Sequence, residues 1–510
     1  MNEKEVIRLK ETLEKEIKKN IKIIQTHTSW VFLTGKYAYK IKKPVNFGFL
    51  NYSTLSLRRK YCQLELKLNR RFSPELYLKV LPIRKYKNKI DFLEKGEIID
   101  YAIKMKELSQ EKIMTNLLLK NEIDYLTIKN LATVVGNFHN SLKNDKEDLI
   151  YGSLEVIRYN WDENFYQTKD FINKTISEKQ YNLIKEAVER FIFEKEDLFL
   201  KRIKEGKIKY CHGDLHSQNI FVGDKIYLFD GIEFNKRFAI SDTFSEIAFM
   251  IMDLEFYERK DLADYFLDNY LKITNDFSGL SLLTFYKTYR AYVRGKVTSF
   301  LLLQAVKEKE KILEKAKRYF RLAETYADNL FAKKKFIIFF GLIGSGKSFI
   351  AEKLAIKKEA IVLKTDVVRK ELANLSPEEE RKVPYQKNIY SYFFSQRIYK
   401  YLIKRSKKYY KNGYSVFLDG TFNKKEWRDM VKKILNKKIT PIWIYLYARE
   451  KIIRKRLRKV RKISNGRWEI FRQMRKDFHP VRGLKNLIKI DNSKDYQKVI
   501  KEIEQKLFCF

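Results

Sequence analysis

Residues 336–349 read FIIFFGLIGSGKSF, and no other stretch of the 510-residue chain restricts the possible fold so tightly. Five apolar residues make a buried-type strand. GLIGSGKS at 341–348 then fits G-x-x-x-x-G-K-[ST] at every fixed position, and a helical pattern runs from Phe349 to Leu354. Gly341, Gly344 and Gly346 let the backbone turn so tightly that its N–H groups, that of Ser345 among them, converge on phosphate oxygens. Lys347 would reach the β- and γ-phosphates of a nucleoside triphosphate, and the Ser348 hydroxyl would ligate Mg²⁺. The expected cofactors are ATP, or another nucleoside triphosphate, and Mg²⁺.

Past this loop, the strand-like runs IVLKT, SVFLD and PIWIYLYA alternate with helical stretches. The alternation predicts a mainly parallel sheet with helices on both faces, an α/β domain over 333–510. In such sheets ligands gather at the carboxyl ends of the strands. IVLKTD ends one strand at Asp366, with Arg369 a helical turn further on, and SVFLD ends another at Asp419. Asp419 is the candidate for the Mg²⁺ shell. Asp366 is the candidate for orienting or deprotonating an acceptor hydroxyl, with Arg369 on the substrate. RKRLRKVR, Arg454 to Arg461, has the arginine density of a lid over a transferring phosphate, or of a solvated basic face. The pattern does not say which arginine points inward.

Upstream, a long charged helix gives way to KKK at 333–335, which marks the boundary of a first domain over 1–332. Its start reads as a helix over 1–20, and WVFLTGKYAYKIKK at 30–43 as a hairpin around Gly35. A helix over about 56–71 and strands near 77–86 and 98–105 follow. Residues 110–205 and 242–330 are helical in pattern, with short strands at 220–222 and 226–229 between them. A small β-rich lobe therefore precedes a mostly helical one.

HGDLHSQNI at 212–220 is followed by Asp230 within YLFDGIEF. Phosphoryl transfer without a P-loop needs a carboxylate at the acceptor hydroxyl and an Asn and an Asp to hold metal on the triphosphate. D-x-x-x-x-N, a hairpin and a further Asp supply all three. Asp214 would accept the hydroxyl proton, and Asn219 and Asp230 would ligate Mg²⁺. His212 reads as a brace for the loop.

The chain has no uncharged apolar run of membrane-spanning length, and its N-terminus has no apolar core of a signal peptide. Cys62, Cys211 and Cys509 show neither pairing nor metal spacing, which fits a reduced, cytoplasmic setting. The net charge is +42, and residues 331–510 carry roughly +30 of it. That excess admits nucleic acid as a partner of the C-terminal domain, and also fits general compositional drift toward lysine.

GLIGSGKS, KTDVVRK and LDGTF make the last third resemble small P-loop kinases such as gluconate kinase, adenylylsulfate kinase, chloramphenicol phosphotransferase and the zeta toxins. HGDLHSQNI and FDGIEF resemble the aminoglycoside phosphotransferase family, part of the protein-kinase-like fold. That resemblance implies a strand lysine in AYKIKK, Lys40 first and Lys42 as the alternative, paired with the helix residue Glu65. His216 and Glu233 also belong to its pattern. The chain departs from it in lacking a glycine-rich G-x-G-x-x-G loop, in having Gly rather than Trp after Asp230, and in showing no acidic cluster for a polyamine. Taken whole, the sequence resembles bacterial bifunctional aminoglycoside phosphotransferase/ATP-binding proteins, of the kind also described as AAA family ATPases. The implied architecture is an α+β bilobal protein-kinase-like domain followed by an α/β P-loop kinase domain. The implied activity is ATP- and Mg²⁺-dependent transfer to small-molecule hydroxyls. The alternatives are a nucleic-acid-end kinase, a nucleic-acid-binding ATPase, or a nucleotide-sensing regulator.

Overall fold

The computed structural model describes residues 1–48, 50–93, 95–143, 145–304, 308–379, 383–436, 438–458 and 466–508. They pack as two compact units. The first holds Met1–Ile123, Asn130–Tyr159 and Phe199–Asp253, and the second holds Asp124–Lys129, Asn160–Leu198 and Leu254–Phe510. The boundary expected from the sequence lies at 332/333. The packing units divide elsewhere, because the helices over 254–330 pack with the P-loop sheet.

In the first unit, strict alternation of side chains builds a six-stranded antiparallel sheet. Its order is Lys22–Gln25, Ser29–Leu33, Tyr37–Lys42, Glu97–Lys106, Tyr77–Tyr86, Lys89–Asp91. Trp30, Phe32, Tyr39 and Ile41 face Val6, Leu9 and Leu13 of the helix Glu3–Ile17. Ala38, Ile103 and Met105 meet Cys62 of the helix Leu55–Asn69. Lys40 and Lys42 share the Ala38 face of their strand and so point at the same helix. Two short antiparallel pairs complete the unit, Ile208–Tyr210 with Ile240–Asp242 and Ile220–Val222 with Ile226–Leu228. The strand Lys22–Gln25 falls just past the helix expected over 1–20; four residues are too few to show a period.

In the second unit, the strands Phe336–Phe340, Ala360–Lys364, Ser415–Asp419, Ile442–Tyr447 and Leu487–Asp491 form a sheet whose pairs are all parallel. Counting them one to five in chain order, their spatial order is two, three, one, four, five. The fifth was not expected from the sequence. Their buried residues make one core with Ile350, Ala351 and Leu354 of the helix Lys347–Lys357 and Val499, Ile500 and Ile503 of the helix Tyr496–Leu507.

The helices Lys260–Thr274 and Leu280–Gln304 belong to this unit through buried charge. Asp264 accepts the backbone N–H of Val362 at 3.0 Å on the outermost strand. Lys287, wholly buried, is 2.7 Å from Glu255 and 2.9 Å from Glu359. Burial pushes the carboxyl of Asp264 up to about 6, against the pull of Lys260. Buried ions on this scale persist only when paired.

Candidate active sites

The first constellation lies wholly within the first unit. Glu65, fully buried, receives Lys40 at 2.8 Å on one carboxylate oxygen and Lys42 at 2.5 Å on the other. The two lysines then part. Lys40 also pairs with Asp230, whose side chain is half exposed. Lys42 is 1 % exposed and donates to Glu233 at 2.5 Å and Tyr52 at 3.3 Å. Burial pushes the carboxyl of Glu233 up, against the pull of Lys42. Lys40 thus faces the open side with Asp230, and Lys42 is sealed in the lobe.

Asp230 has a positive φ of 62°, and its backbone N–H donates to the Tyr77 hydroxyl at 2.9 Å. The next amide, of Gly231, donates to Asn69 at 2.8 Å, so the end of the Glu65 helix holds the turn that presents Asp230. Asn219 donates through its side chain to the Asp214 carboxylate at 2.9 Å, and its carbonyl accepts the amide of Phe229 at 3.0 Å. That commits the amide nitrogen, and the side-chain oxygen is the atom of Asn219 that suits a cation. His216 is 3.3 Å from Asp214. Lys40, Glu65 and Asp230 therefore form one bonded set and Asp214 with Asn219 another, joined through the backbone hydrogen bond from Phe229, the residue before Asp230, to Asn219. Oxygen ligands in this arrangement fit Mg²⁺.

Two buried carboxylates hold the loop bearing Asp214: Asp253 accepts the Ser217 amide at 2.8 Å, and Glu246 holds the start of the loop. Glu246, on the helix Thr243–Phe256, accepts the amide of His212 at 2.8 Å and that of Gly213 at 3.3 Å. Burial alone would raise its pKa. His139, 3.6 Å away, together with His212 and the Gly213 amide, outweighs burial and holds it at about 2. Burial lowers the pKa of His212, whose ring bonds the Phe229 carbonyl at 2.9 Å and the Asp214 amide at 3.3 Å. The doubly bonded imidazole ties the loop to the strand end at Phe229. Glu246 and His139 escaped the sequence reading. The available signal was an acid inside the apolar run FSEIAFMIM, since a charge there needs a partner.

The second constellation lies at the carboxyl ends of the parallel strands, where the chain turns from one side of the sheet to the other. Register sets it: Phe339 pairs with Asp419, and Asp419 with Lys364. Gly341, Gly344 and Gly346 all have positive φ, and a Cβ on Gly341 would overlap the Leu446 carbonyl. Ser348 donates to Asp419 at 2.5 Å, so the two expected metal ligands already meet. Burial pushes the Asp419 carboxyl up, against Lys347 and Ser348. Lys347 donates to the Leu342 carbonyl at 3.0 Å. Ser345 is fully buried, and among the described residues its hydroxyl has no hydrogen-bond partner. An oxygen pair at an open phosphate loop fits Mg²⁺, which keeps several waters.

A cavity of about 930 Å³ opens from the loop and is lined by Lys347, Ser348, Asp366, Arg369 and Asp419. Asp366 does not end a strand. The strand stops at Lys364 and Asp366 lies in the first turn of the helix Thr365–Leu372, where a carboxylate suits the helix dipole. Arg369 is buried and donates to the Ile389 carbonyl at 2.7 Å and the Ser395 hydroxyl at 3.1 Å. Within the basic run, Arg456 points inward, bonding the Ser345 carbonyl at 3.1 Å and the Asn492 carbonyl at 2.8 Å. Arg454 lies over Trp468, and Arg461 falls outside the described residues.

Residues 336–481 match the family model of an AAA domain. Uncharacterised proteins of Mycobacterium tuberculosis and Mycobacterium bovis are each 28 % identical over 415 residues, 81 % of this chain and 81 % of theirs. Among solved structures, a choline/ethanolamine kinase family protein from Mesorhizobium loti covers 60 % of this chain and 88 % of its own, at 9 % identity and a TM-score of 0.37. A sugar kinase from Janibacter covers 34 % of this chain and 95 % of its own, at 14 % identity and a TM-score of 0.29. Similarities of this size say nothing about activity. Among the described residues no helix is long and apolar enough to cross a membrane.

Proposed function

We propose that the chain is a two-site phosphotransferase that moves the γ-phosphoryl group of ATP to hydroxyls of small molecules. It would combine an aminoglycoside phosphotransferase-like module over 1–332 with a P-loop kinase module over 333–510, in a cytoplasmic setting. The observation that carries the reading is that Lys40 pairs with Glu65 and Asp230 while Asn219 donates to Asp214, with the Phe229 amide tying the Asn219 segment to the residue before Asp230. Bound Mg²⁺ would neutralise charge on the triphosphate at each site.

At the first site Lys40, oriented by Glu65, binds the α- and β-phosphates. Asn219 and Asp230 hold the metal, and Asp214 orients the acceptor hydroxyl and takes its proton. At the second, the loop amides and Lys347 bind the phosphates, while Ser348 and Asp419 hold the metal. Asp366 takes the acceptor proton, and Arg456 lies against the loop as the lid cation. Catalysis of this kind is positioning plus charge neutralisation, because the loose transition state asks little covalent chemistry of the protein.

ATP turnover supported by a broad set of hydroxyl metabolites should fall by separable parts in Asp214→Ala and Lys347→Ala. If neither substitution alters any ATP-dependent signal, the reading is wrong. The roughly +30 charge of residues 331–510 favours one second reading, a nucleic-acid-end kinase. Binding to single-stranded DNA or RNA that is weak, or insensitive to salt, removes it.

A further inference from the structure

Away from the phosphate loop, the wall of the cavity is aromatic and basic. Tyr390, Tyr392, Tyr399 and Trp427 line it together with Arg369 and Lys424. Trp427 stacks on Tyr399, with centroids 5.2 Å apart at 25°, and its centroid is 5.2 Å from that of Tyr392. Such a wall can serve two opposite chemistries. Ring faces attract organic cations, and they also stack against flat or cyclic neutral groups.

The charges already in place decide between them. The Arg369 guanidinium sits 4.7 Å from the Tyr390 centroid, and the Lys424 ammonium 5.0 Å from that of Tyr392. Both rings thus already carry a cation of the protein, and a cationic ligand would meet like charge. Arg369 lines the cavity at 5 % exposure, and among the described residues its enclosed Nε has no hydrogen-bond partner. A guanidinium at a cavity wall draws a carboxylate or phosphate oxygen and repels a cation. The acids that line the cavity are engaged: Asp366 and Asp419 are assigned as proton acceptor and metal ligand, Glu352 pairs with Lys364, and Asp495 accepts the Gln497 amide. Glu426, which accepts the Tyr392 hydroxyl at 2.7 Å, lies 3.8 Å from Lys424 and offsets part of that lysine's charge. At about 930 Å³ the cavity is large for a small-molecule site, with room for a nucleotide and a cyclic acceptor together.

We propose that the acceptor of the P-loop site is a ring-bearing anion with a free hydroxyl, its carboxylate or phosphate held by Arg369 and Lys424 and its ring against Tyr392 and Trp427. This rests on the P-loop site being a phosphotransferase. In the step, the acceptor oxygen bonds the γ-phosphorus as the bond from that phosphorus to the β,γ-bridging oxygen breaks. ADP keeps the bonding pair, and Asp366 takes the hydroxyl proton.

The test uses the full chain carrying Asp214→Asn, so that turnover reports the P-loop site, with ADP release followed in the presence of ATP and Mg²⁺. The acceptors are adenosine 3′-monophosphate and glucose 6-phosphate as ring-bearing anions, gluconate as an acyclic anion, and choline and kanamycin as cations. One or both ring-bearing anions should be the best acceptors, and which of the two wins separates a nucleotide from a sugar phosphate. Arg369→Met should raise the acceptor KM roughly ten- to a hundredfold with the KM for ATP unchanged. Lys424→Gln and Tyr392→Ala, at more exposed positions, should raise it severalfold and carry the test if Arg369→Met does not fold. Preference for a cation or for gluconate overturns the proposal, as does an acceptor KM unmoved by all three substitutions. Binding of ATP that depends on Lys347, without turnover of either ring-bearing anion, refutes the acceptor class alone. Absence of Lys347-dependent ATP binding refutes the underlying reading instead.

Discussion

Replacing Glu246 by Gln should loosen the first site without touching any group assigned to substrate, nucleotide or metal. Gln keeps the shape but removes the charge, and it turns an amide donor toward the N–H groups of His212 and Gly213. Two routes give the size of the loss. Hydrogen bonds to a charged acceptor are worth about 1.5–3 kcal/mol. Lowering the pKa from 4.5 to about 2 corresponds to about 3 kcal/mol of preference for the ionised form in the folded state. The sign follows from the direction of the shift. A carboxylate depressed on folding gives stability that is complete above the unfolded value near 4.5 and is lost as pH falls toward 2. The gap between wild type and Glu246→Gln should therefore be about 3 kcal/mol at neutral pH and close over that acid window. A chain of two units need not unfold in one step, so the readout is hydrogen exchange at the His212 and Gly213 amides across pH. Turnover at the first site, measured in a Lys347→Ala background, should drop about a hundredfold through misplacement of Asp214. A gap that does not change with pH would refute the electrostatic account. Full turnover despite lost protection would refute the positioning role.

Lys40→Met should abolish most turnover at the first site and cost less stability than Lys42→Met, because Glu65 keeps Lys42 and the other carboxylate it releases, Asp230, is half exposed. Lys42→Met should instead cost about 3–5 kcal/mol by stranding Glu233 and half of Glu65, which thermal melts and kinetics separate. Lys287→Met should destabilise the P-loop unit by a similar ~3–5 kcal/mol, read as lost exchange protection over 360–364, with Glu359→Gln restoring part of it.

Chemistry encoded in consecutive residues was legible in the sequence. GLIGSGKS carries its own geometry, and HGDLHSQN with Asp230 a hairpin later fixes the second group. Four of the six antiparallel strands followed from side-chain alternation and hairpin signals, and four of the five parallel strands from apolar runs that alternate with helical stretches. What stayed hidden depends on depth. Lys40 and Lys42 share a strand face, and only packing of Tyr52 and Glu233 around Lys42 tells them apart. Arg456 is one arginine in a run of similar ones until the helix Glu450–Leu457 gives it a direction. The assignment of the helices over 254–330 to the P-loop unit was not visible either. Composition does not change at residue 254, and the partners of Lys287 lie 32 positions before it and 72 after it.

The hydrogen bond from Val362 to Asp264 has a consequence for how the chain survives its own synthesis. The outermost strand of a parallel sheet offers unpaired backbone groups to any other extended chain, which is how sheets recruit neighbours into aggregates. Here a carboxylate from a helix occupies one of those groups, and the helix covers the border. Residues 260–274 leave the ribosome before residues 360–364, so the guard is made before the strand that it shields.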